Sequence, residues 1–307
     1  MNKYKGLGNQ GWIVICSLVL CITCSCDPDP NPGPGNGNSD QFESTPQKFP
    51  ITPGTIDEAS GLAPSLNFPG YLWTNQDSGQ PNSLYLVSKD GKTIKEYGIP
   101  GAQNNDWEDV AIGPGPENGV NYLYIADTGN NGSSASKVNV IYRVPEISDP
   151  NASFSQDRVE KITYKYPDGP RDAESLLLDP VTKDIFIVSK ESSNTGIYRL
   201  AFPQSTGETI TAEKLGTVPS VSTATGGSIS KDGNEIAIRT YLSVYYWKRK
   251  TGETIGQTLT QPATRQLLVA IEPQGESICF DSEGSGFYTL SEKSNSTAVT
   301  LNFYKRK

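Results

Sequence analysis

Histidine is absent from this chain of 307 residues. Without an imidazole group, the chain cannot build a Ser-His-Asp triad, a histidine general base or a histidine-ligated zinc or haem site. A metal ion bound here would therefore be a hard cation held by oxygen ligands. Calcium is the ion that this chemistry favours.

Cysteine is scarce where a folded domain would use it. Four of the five cysteines lie within the first 26 residues, and the fifth is Cys279. A single cysteine cannot form a disulfide framework inside the domain. Because Cys279 lies in an apolar run, we expect it to be a small buried core residue.

Basic residues are too few to balance the acidic ones. The sequence has 26 Lys and Arg against 34 Asp and Glu, a formal net charge of −8. Nucleic acid requires a basic face that releases phosphate counterions, so nucleic acid is excluded as a partner. A sustained apolar period of 3.6 residues is missing as well, while 30 glycines and 15 tyrosines favour turns and strands. We therefore predict a nearly all-β protein.

The chain has no long hydrophobic run. Its main apolar run is a short one near the N-terminus. Lys3 and Lys5 precede an apolar run over residues 12–22, which is too short to span a bilayer comfortably. The clustered cysteines that follow resemble a bacterial lipoprotein signal, with Cys26 as the residue that receives the palmitate-type acyl chains and Cys24 as the alternative. An ordinary cleaved secretory signal is the other interpretation. We expect an exported protein, lipid-anchored to the cell envelope at the periplasmic or surface face of the outer membrane.

Three parts follow from composition. Residues 1–26 are the expected signal peptide, and residues 27–47 are rich in Pro, Gly, Asn and Asp. A segment of that composition cannot bury apolar surface and is predicted to be a flexible tether. Residues 48–307 are then the folded domain.

That domain repeats one pattern five times. Each copy opens on polar or acidic residues and continues into a short apolar run, and the residues just before the runs are Ser60, Glu108, Glu174, Gly227 and Glu276. They are 48 to 66 residues apart, which is the length of four short strands with their turns. The repeat predicts a five-bladed β-propeller. A six-bladed propeller is the alternative, but it would need another opener that the sequence does not contain.

The fifth copy supplies only three strands before the chain stops. Residues 48–52, just before the first copy, have the composition of the missing outer strand. Pairing the two ends would close the ring and remove an exposed strand edge.

In a propeller, the start of each inner strand and the end of each second strand reach the same face of the ring. The metal ligands predicted there are Asp106, Glu108, Asp172, Glu174 and Glu276. The predicted ligand-binding residues are Glu58, Asp77, Trp107, Asp127, Lys190, Arg239, Tyr241 and Glu292. So many carboxylates at one place require a cation or raised pKa values. The alternative is structural: carboxylates at strand starts accept backbone N–H bonds and brace the blades, and Trp107 packs in the core.

The openers, together with residues 72–79 (LWTNQDSG) and 123–130 (LYIADTGN), resemble a group of secreted bacterial propellers. The group includes the SdiA-regulated family and phytase-like propellers with esterase-like activity. The resemblance implies a calcium ion in the channel, with Glu108, Glu174 and Glu276 as ligands. Gly227 departs from that acidic pattern, and the histidines of lactonase-type propellers have no counterpart here, so lactonase chemistry is not expected.

Two functions remain open at this point. The first is a lipid-anchored binding module, with calcium in its channel, whose mouth takes a glycan, peptide or protein. The second is a calcium-dependent hydrolase of phosphate or carboxylic esters, for which Lys190, Arg239 and Asp127 are the catalytic candidates. A metal that serves stability alone is a third possibility.

Overall fold

The computed structural model describes residues 39–130 and 138–307. The predicted signal peptide, both candidate lipidation cysteines (Cys24 and Cys26) and the first part of the predicted tether lie outside the described residues. Within the described part of the chain, no helix is long and apolar enough to cross a membrane.

Short strands make up most of the described chain, beginning with β1 (Gln47–Pro50). Blade 1 contains, from the centre outward, β2 (Ala59–Pro64), β3 (Tyr71–Gln76), β4 (Ser83–Ser88) and β5 (Ile94–Gly98). Blade 2 contains β6 (Trp107–Pro114), β7 (Asn121–Asp127), β8 (Asn139–Pro145) and β9 (Glu160–Lys165), with a 3₁₀ turn (Gln156–Arg158) before β9.

The remaining blades follow the same antiparallel order. Blade 3 contains β10 (Ala173–Leu178), β11 (Ile185–Ser189), β12 (Gly196–Leu200) and β14 (Glu213–Thr217). Between β12 and β14, the two-residue strand β13 (Ile210–Thr211) pairs in parallel with β9 of blade 2. Blade 4 contains β15 (Ala224–Ile229), β16 (Glu235–Thr240), β17 (Val244–Lys248), the helix α1 (Ile255–Leu259) as a connection, and β18 (Arg265–Leu267). Blade 5 contains β19 (Gln274–Phe280), β20 (Gly286–Glu292), β21 (Thr300–Lys305) and β1.

The core lies between the blades. Apolar side chains from each sheet pack against the next sheet and form five buried clusters, one for each neighbouring pair of blades. Trp73 and Trp107 are fully buried between blades 1 and 2, and Cys279 is fully buried between blades 5 and 1, as predicted for it. The described residues therefore form a closed ring of five blades, which confirms the predicted five-bladed propeller over the six-bladed alternative.

The ring is closed by the strand that precedes the first blade. β1 pairs antiparallel with β21, with Gln47 opposite Phe303 and Pro50 opposite Thr300. The sequence predicted this strand over residues 48–52, and the structure places it at 47–50. Because β21 would otherwise leave a row of unpaired N–H and C=O groups, this pairing removes an exposed edge.

Residues 39–46, which the sequence analysis assigned to the tether, also contact blades 4 and 5. Phe42 is nearly buried, with its ring centroid 5.0 Å from that of Phe287. The Arg265 guanidinium lies 3.1 Å from the Asp40 carboxylate. The aromatic ring of Phe42 supplies apolar burial that the rest of the tether composition lacks, so the packed part of the chain begins before residue 48.

The five inner strands, β2, β6, β10, β15 and β19, surround a central channel and run in the same direction along it. We call the end at which they begin the mouth and the end at which they finish the floor. A register shift interrupts each inner strand close to its first residues, as between Trp107 and Asp109 in β6. A bulge adds one residue that the neighbouring strand does not pair, and so re-aims its side chain.

Candidate functional site

The side chains inside these register shifts belong to the same position of the repeat. They are Ser60, Glu108, Glu174, Thr225 and Glu276. The residue that represents the fourth copy is therefore Thr225, and not Gly227 as the sequence pattern indicated. Thr225 carries a hydroxyl that donates to the Gly275 carbonyl at 2.9 Å, so the fourth blade contributes a bracing group where three others contribute carboxylates.

Three glutamates of this set, Glu108, Glu174 and Glu276, form the centre of the mouth. Each is only 3% exposed. In each, one carboxylate oxygen has a donor: Ser60 Oγ lies 3.5 Å from Glu108, Lys190 Nζ donates to Glu174, and Gln274 Nε2 donates to Glu276 at 2.9 Å. The other oxygens, Glu108 Oε1, Glu174 Oε2 and Glu276 Oε2, are buried without a hydrogen-bond partner among the described residues.

Aspartates from neighbouring loops complete two groups of carboxylates. Asp77, Asp106 and Glu108 each offer an oxygen within 4.8 Å of the others, and so do Glu108, Asp172 and Glu174. Glu108 belongs to both groups. All five predicted metal ligands lie at the mouth, and four of them, together with Asp77, are close enough to share cations.

Burial and mutual repulsion raise the pKa values of these acids. Burial, followed by the charges of Glu174 and Asp77, raises the pKa of Glu108 well above its ordinary value. Burial and the charge of Glu276 do the same to the pKa of Glu174. Burial also raises the pKa of Glu292 to about 8, with a further contribution from Glu276. Without a bound cation, several mouth carboxyls would hold protons near neutral pH.

Lys190 is the basic residue of the mouth. Its ammonium donates to Glu174 and lies 5.1 Å from the centroid of the Tyr241 ring. Burial alone would lower the pKa of Lys190, but the Glu174 carboxylate raises it above its ordinary value. Lys190 is therefore a permanent cation that offsets one of the acids, and Tyr241 forms one wall beside it.

Glu292 and Glu58 lie on the blade 5 to blade 1 side of the mouth. Gln274 Nε2 donates to Glu292 at 2.7 Å as well as to Glu276, so this amide bridges the two carboxylates. The charge of Glu58 contributes to the raised pKa of Glu292. Both residues belong to the mouth, as predicted.

A glycine makes room for the first acidic group. A Cβ atom at Gly129 would meet Glu108 Oε1 and the Asp106 carboxylate, so a larger residue could not occupy this place without displacing them. Gly129 follows β7, and its backbone amide donates to the Asp106 carbonyl at 3.2 Å. The residue is required for close approach, and the sequence analysis gave it no role at the site.

Two predicted ligand-binding residues, Asp127 and Trp107, form hydrogen bonds within the protein that hold its own backbone. Asp127 is buried, and its carboxylate accepts the Asn105 side chain at 2.7 Å and the Asp106 amide at 2.8 Å. It therefore holds the turn that presents Asp106. The Trp107 indole is fully buried and donates to the Gln103 carbonyl at 2.8 Å, so it is a blade-packing residue.

Arg239 is the predicted mouth residue that the structure places elsewhere. Its side chain is fully buried between blades 4 and 5, with its guanidinium 3.0 Å from Glu272. Gly275 leaves the space that the guanidinium fills, since a Cβ there would collide with it. Thr289 and Asn302 also donate to Glu272, which makes this an internal ion pair and not part of the mouth.

Asp109 is the functional-site residue that sequence reasoning missed. It is fully buried, and its carboxylate accepts the backbone N–H groups of Val110 at 2.8 Å, Leu176 at 2.8 Å and Gly227 at 3.1 Å. The Leu62 amide donates to it as well. These donors come from four different blades, so a single carboxylate ties four inner strands together. The signal was a third acidic residue directly after Asp106-Trp107-Glu108, which no other opener has.

No family model and no curated protein matches this chain. Among solved structures, a chain of a nidogen–laminin complex is 13% identical with a TM-score of 0.46, covering 85% of this chain and 87% of that chain. A chain of a mitotic checkpoint complex is 11% identical with a TM-score of 0.45, covering 94% and 98%. The Cps50 (Swd1) β-propeller domain of Myceliophteria thermophila is 12% identical with a TM-score of 0.41, covering 81% and 84%. These similarities say nothing about what this chain binds.

Proposed function

We propose that the mouth of the propeller binds a divalent cation and that calcium is the ion it takes. The observation that carries this is the trio of buried carboxylate oxygens on Glu108, Glu174 and Glu276 that have no donor among the described residues. Buried acceptors of this kind are costly to leave unpaired. A cation held by Glu108 with Asp172 and Glu174, or with Asp77 and Asp106, would give these carboxylates a partner and offset the charge that contributes to the raised pKa values of Glu108 and Glu174.

The donor set fits calcium better than magnesium. Its oxygens come from loops and bulges of three blades, which provide many carboxylates in an irregular arrangement. Calcium accepts six to eight oxygen ligands in flexible geometry, whereas magnesium requires near-octahedral ligands and keeps several waters. Because Glu108 belongs to both acidic groups, it is the ligand whose loss should matter most.

At the level of the whole protein, we propose an exported β-propeller, anchored through lipid on Cys26 or Cys24, that presents its cation-bearing mouth to a glycan, peptide or protein. The lipoprotein-like signal supports the anchor. The resemblance of the openers to SdiA-regulated and phytase-like propellers supports the placement of the ion. Carboxylates surround the mouth, so an oxygen-rich ligand would contact the bound cation there.

The test is calcium binding by the purified protein, measured by calorimetry and by thermal melts in calcium and in chelator. We expect calcium to raise the melting temperature, and Glu108→Gln to remove most of that rise. Glu208→Gln is the matched control, because Glu208 is an exposed acid in the loop between β12 and β13 and belongs to neither group of carboxylates at the mouth. A protein whose melt and calorimetric trace do not respond to calcium would refute the cation site.

A second candidate function is hydrolysis of phosphate or carboxylic esters, and Lys190 is the observation that favours it. The Lys190 ammonium lies at the same mouth as the carboxylates, where it could stabilise negative charge that develops on a substrate. A bound calcium ion would supply polarisation of an ester or activation of water. Arg239, the other predicted basic group, is buried against Glu272 and cannot take part.

An assay of ester hydrolysis distinguishes the binding module from the hydrolase. The calcium-loaded protein would be assayed with p-nitrophenyl phosphate and p-nitrophenyl acetate, with Lys190→Met and the chelated protein as comparisons. Calcium-dependent turnover that Lys190→Met abolishes would establish the hydrolase. Calcium binding without turnover of either substrate supports the binding module.

A further inference from the structure

The floor of the channel contains a cavity of about 250 Å³. It is lined by the last residues of all five inner strands and by the turns that follow them. Its deep wall is formed by the buried side chains of Leu62, Val110, Leu176 and Phe280, and its outer wall by the half-buried side chains of Ile112 and Ile229. The deep wall is thus apolar, whereas about half of the surface that solvent reaches is polar and includes Ser230 and Lys231 at the rim.

Asp109 separates this cavity from the mouth. The amides of Leu62, Val110, Leu176 and Gly227 donate to its carboxylate, so these N–H groups are not available to water in the cavity. Water enters a cavity of this size only where two or more polar partners hold it. The floor is therefore suited to an apolar group, whereas the mouth is suited to a cation.

The rim of the cavity contains two charged residues, one of which has no ion pair among the described residues. Lys231 and Asp281 are the charged residues among those that line it. Asp281 forms an ion pair with Lys89 and accepts the Ser285 hydroxyl. Lys231 is exposed, in the turn after β15, and takes part in no ion pair within the described ranges. A negative group at the rim would therefore pair with Lys231, beside the acids Asp232 and Glu283 of the adjoining cleft.

We propose that the floor binds a small amphiphilic anion, whose apolar body fills the cavity and whose negative head group lies at Lys231. A cavity of about 150 Å³ holds a benzene ring. The larger volume here has room for a bicyclic ring or a short alkyl chain. This site uses none of the mouth residues, and it is independent of the proposed cation site.

The test uses 1-anilinonaphthalene-8-sulfonate, which combines a bicyclic ring with one negative charge, as a fluorescent probe of the full-length protein. We expect one molecule to bind per chain. Ile229→Glu, which places a carboxylate in the cavity wall, should weaken binding at least about tenfold. Lys231→Gln should weaken it by roughly threefold to tenfold, because the probe loses its ion pair. Octanoate should displace the probe better than octylamine.

The matched control is Leu242→Glu. Leu242 is an exposed apolar residue, 75% accessible, in the β16–β17 turn outside the cavity, and the same substitution there should leave the affinity unchanged. Near-UV circular dichroism checks that each variant is native, since this probe also binds partly unfolded chains. If Ile229→Glu does not fold, Ile112→Glu on blade 2 replaces it.

Three results would overturn the proposal. One is equal probe binding by wild type and by both cavity variants. Another is loss of binding in Leu242→Glu. The third is a dimer in sedimentation velocity that excludes the probe, which would mean that a second copy of the chain covers the floor.

Discussion

The mouth and the floor of the channel are made by the same five strands, yet their chemistry is opposite. At the mouth, register shifts re-aim Glu108, Glu174 and Glu276 into the channel. Beyond the shifts the strands run regularly, and side chains such as Ile112 and Ile229 line the floor. The difference teaches that an irregularity of one residue per strand is enough to give one repeat two chemically different ends.

Asp109 lies at the boundary between the two ends. Asp109 follows Glu108 directly in the sequence, but its carboxylate accepts hydrogen bonds from four backbone amides, one from each of four blades. Burial raises the pKa of Asp109 well above its ordinary value, and these donors oppose that rise. Two adjacent acids in one opener thus have different surroundings: Glu108 has a buried oxygen without a hydrogen-bond partner among the described residues, and Asp109 connects four inner strands.

The largest effect, on the free energy of unfolding, should come from substituting Asp109. Asp109→Ala leaves the amides of Val110, Leu176 and Gly227 buried without an acceptor, at about 1–3 kcal/mol for each such group before relaxation. We expect the free energy of unfolding to fall by about 3 kcal/mol or more, measured by urea denaturation with tryptophan fluorescence.

The control for Asp109→Ala is Asp90→Ala. Asp90 is a solvent-exposed aspartate that accepts the Ser88 hydroxyl at 2.6 Å and the Lys92 amide at 3.2 Å, so its loss should cost far less than the loss of Asp109. Equal costs for the two substitutions would contradict a special role for Asp109 and would remove the boundary between mouth and floor.

The next largest effect should appear at the mouth alone. Gly129→Ala places a methyl group against Glu108 Oε1 and the Asp106 carboxylate, and we expect it to weaken calcium binding by about a hundredfold in calorimetry. Probe binding at the floor should not change. Gly207→Ala serves as the control, since a Cβ at Gly207 meets nothing within 4 Å. Unaltered calcium affinity in Gly129→Ala would place the ion away from Glu108.

The sequence predicted the mouth much better than the floor. The repeated openers identify the start of each inner strand, and in a propeller those starts converge, so the positions of Glu108, Glu174 and Glu276 followed from the repeat alone. The floor comes from ordinary apolar residues such as Ile112 and Ile229, which look like any other strand residues in a sequence. Only the ring geometry shows that they surround a cavity.

Arg239 and Thr225 show why the rest of the site could not be predicted. Both depend on which face of the sheet a residue occupies, and a shift of one residue reverses the face. Arg239 is near the end of β16, as predicted, but it faces blade 5, where Glu272 and the space left by Gly275 receive it. Its partner lies in the connection before β19, and no local pattern in the sequence links the two.

A change of pH should have a smaller effect, and it should act at the mouth but not at the floor. The pKa of Glu292 is raised to about 8 from an ordinary value of 4.5, and those of Glu108, Glu174 and Glu276 are raised as well. Between these values the folded chain binds more protons than the unfolded chain, so the free energy of unfolding falls as pH rises. In chelator, we expect the melting temperature to decrease from about pH 5 to about pH 8.

Calcium should reverse this trend, because the ion binds the deprotonated carboxyls and its stabilising effect therefore grows with pH. The affinity of the floor for the fluorescent probe should stay constant over the same range, since none of the mouth carboxyls lines the floor. A calcium effect that shrinks towards high pH would contradict the assignment of the mouth acids as ligands.

The smallest expected effect concerns Lys190, the basic residue that pairs with Glu174 at the mouth. Lys190→Met removes the ammonium that occupies Glu174 but keeps a side chain of similar length against Tyr241. Because a competing positive charge is gone, calcium should bind roughly tenfold more tightly. Lys183→Met is the matched control: Lys183 also lies 5.1 Å from an aromatic ring, that of Phe202, but it donates to the Gly115 carbonyl in the turn on the floor side. Weaker calcium binding in Lys190→Met, with Lys183→Met unchanged, would mean that Lys190 supports the ion's ligands and does not compete with it.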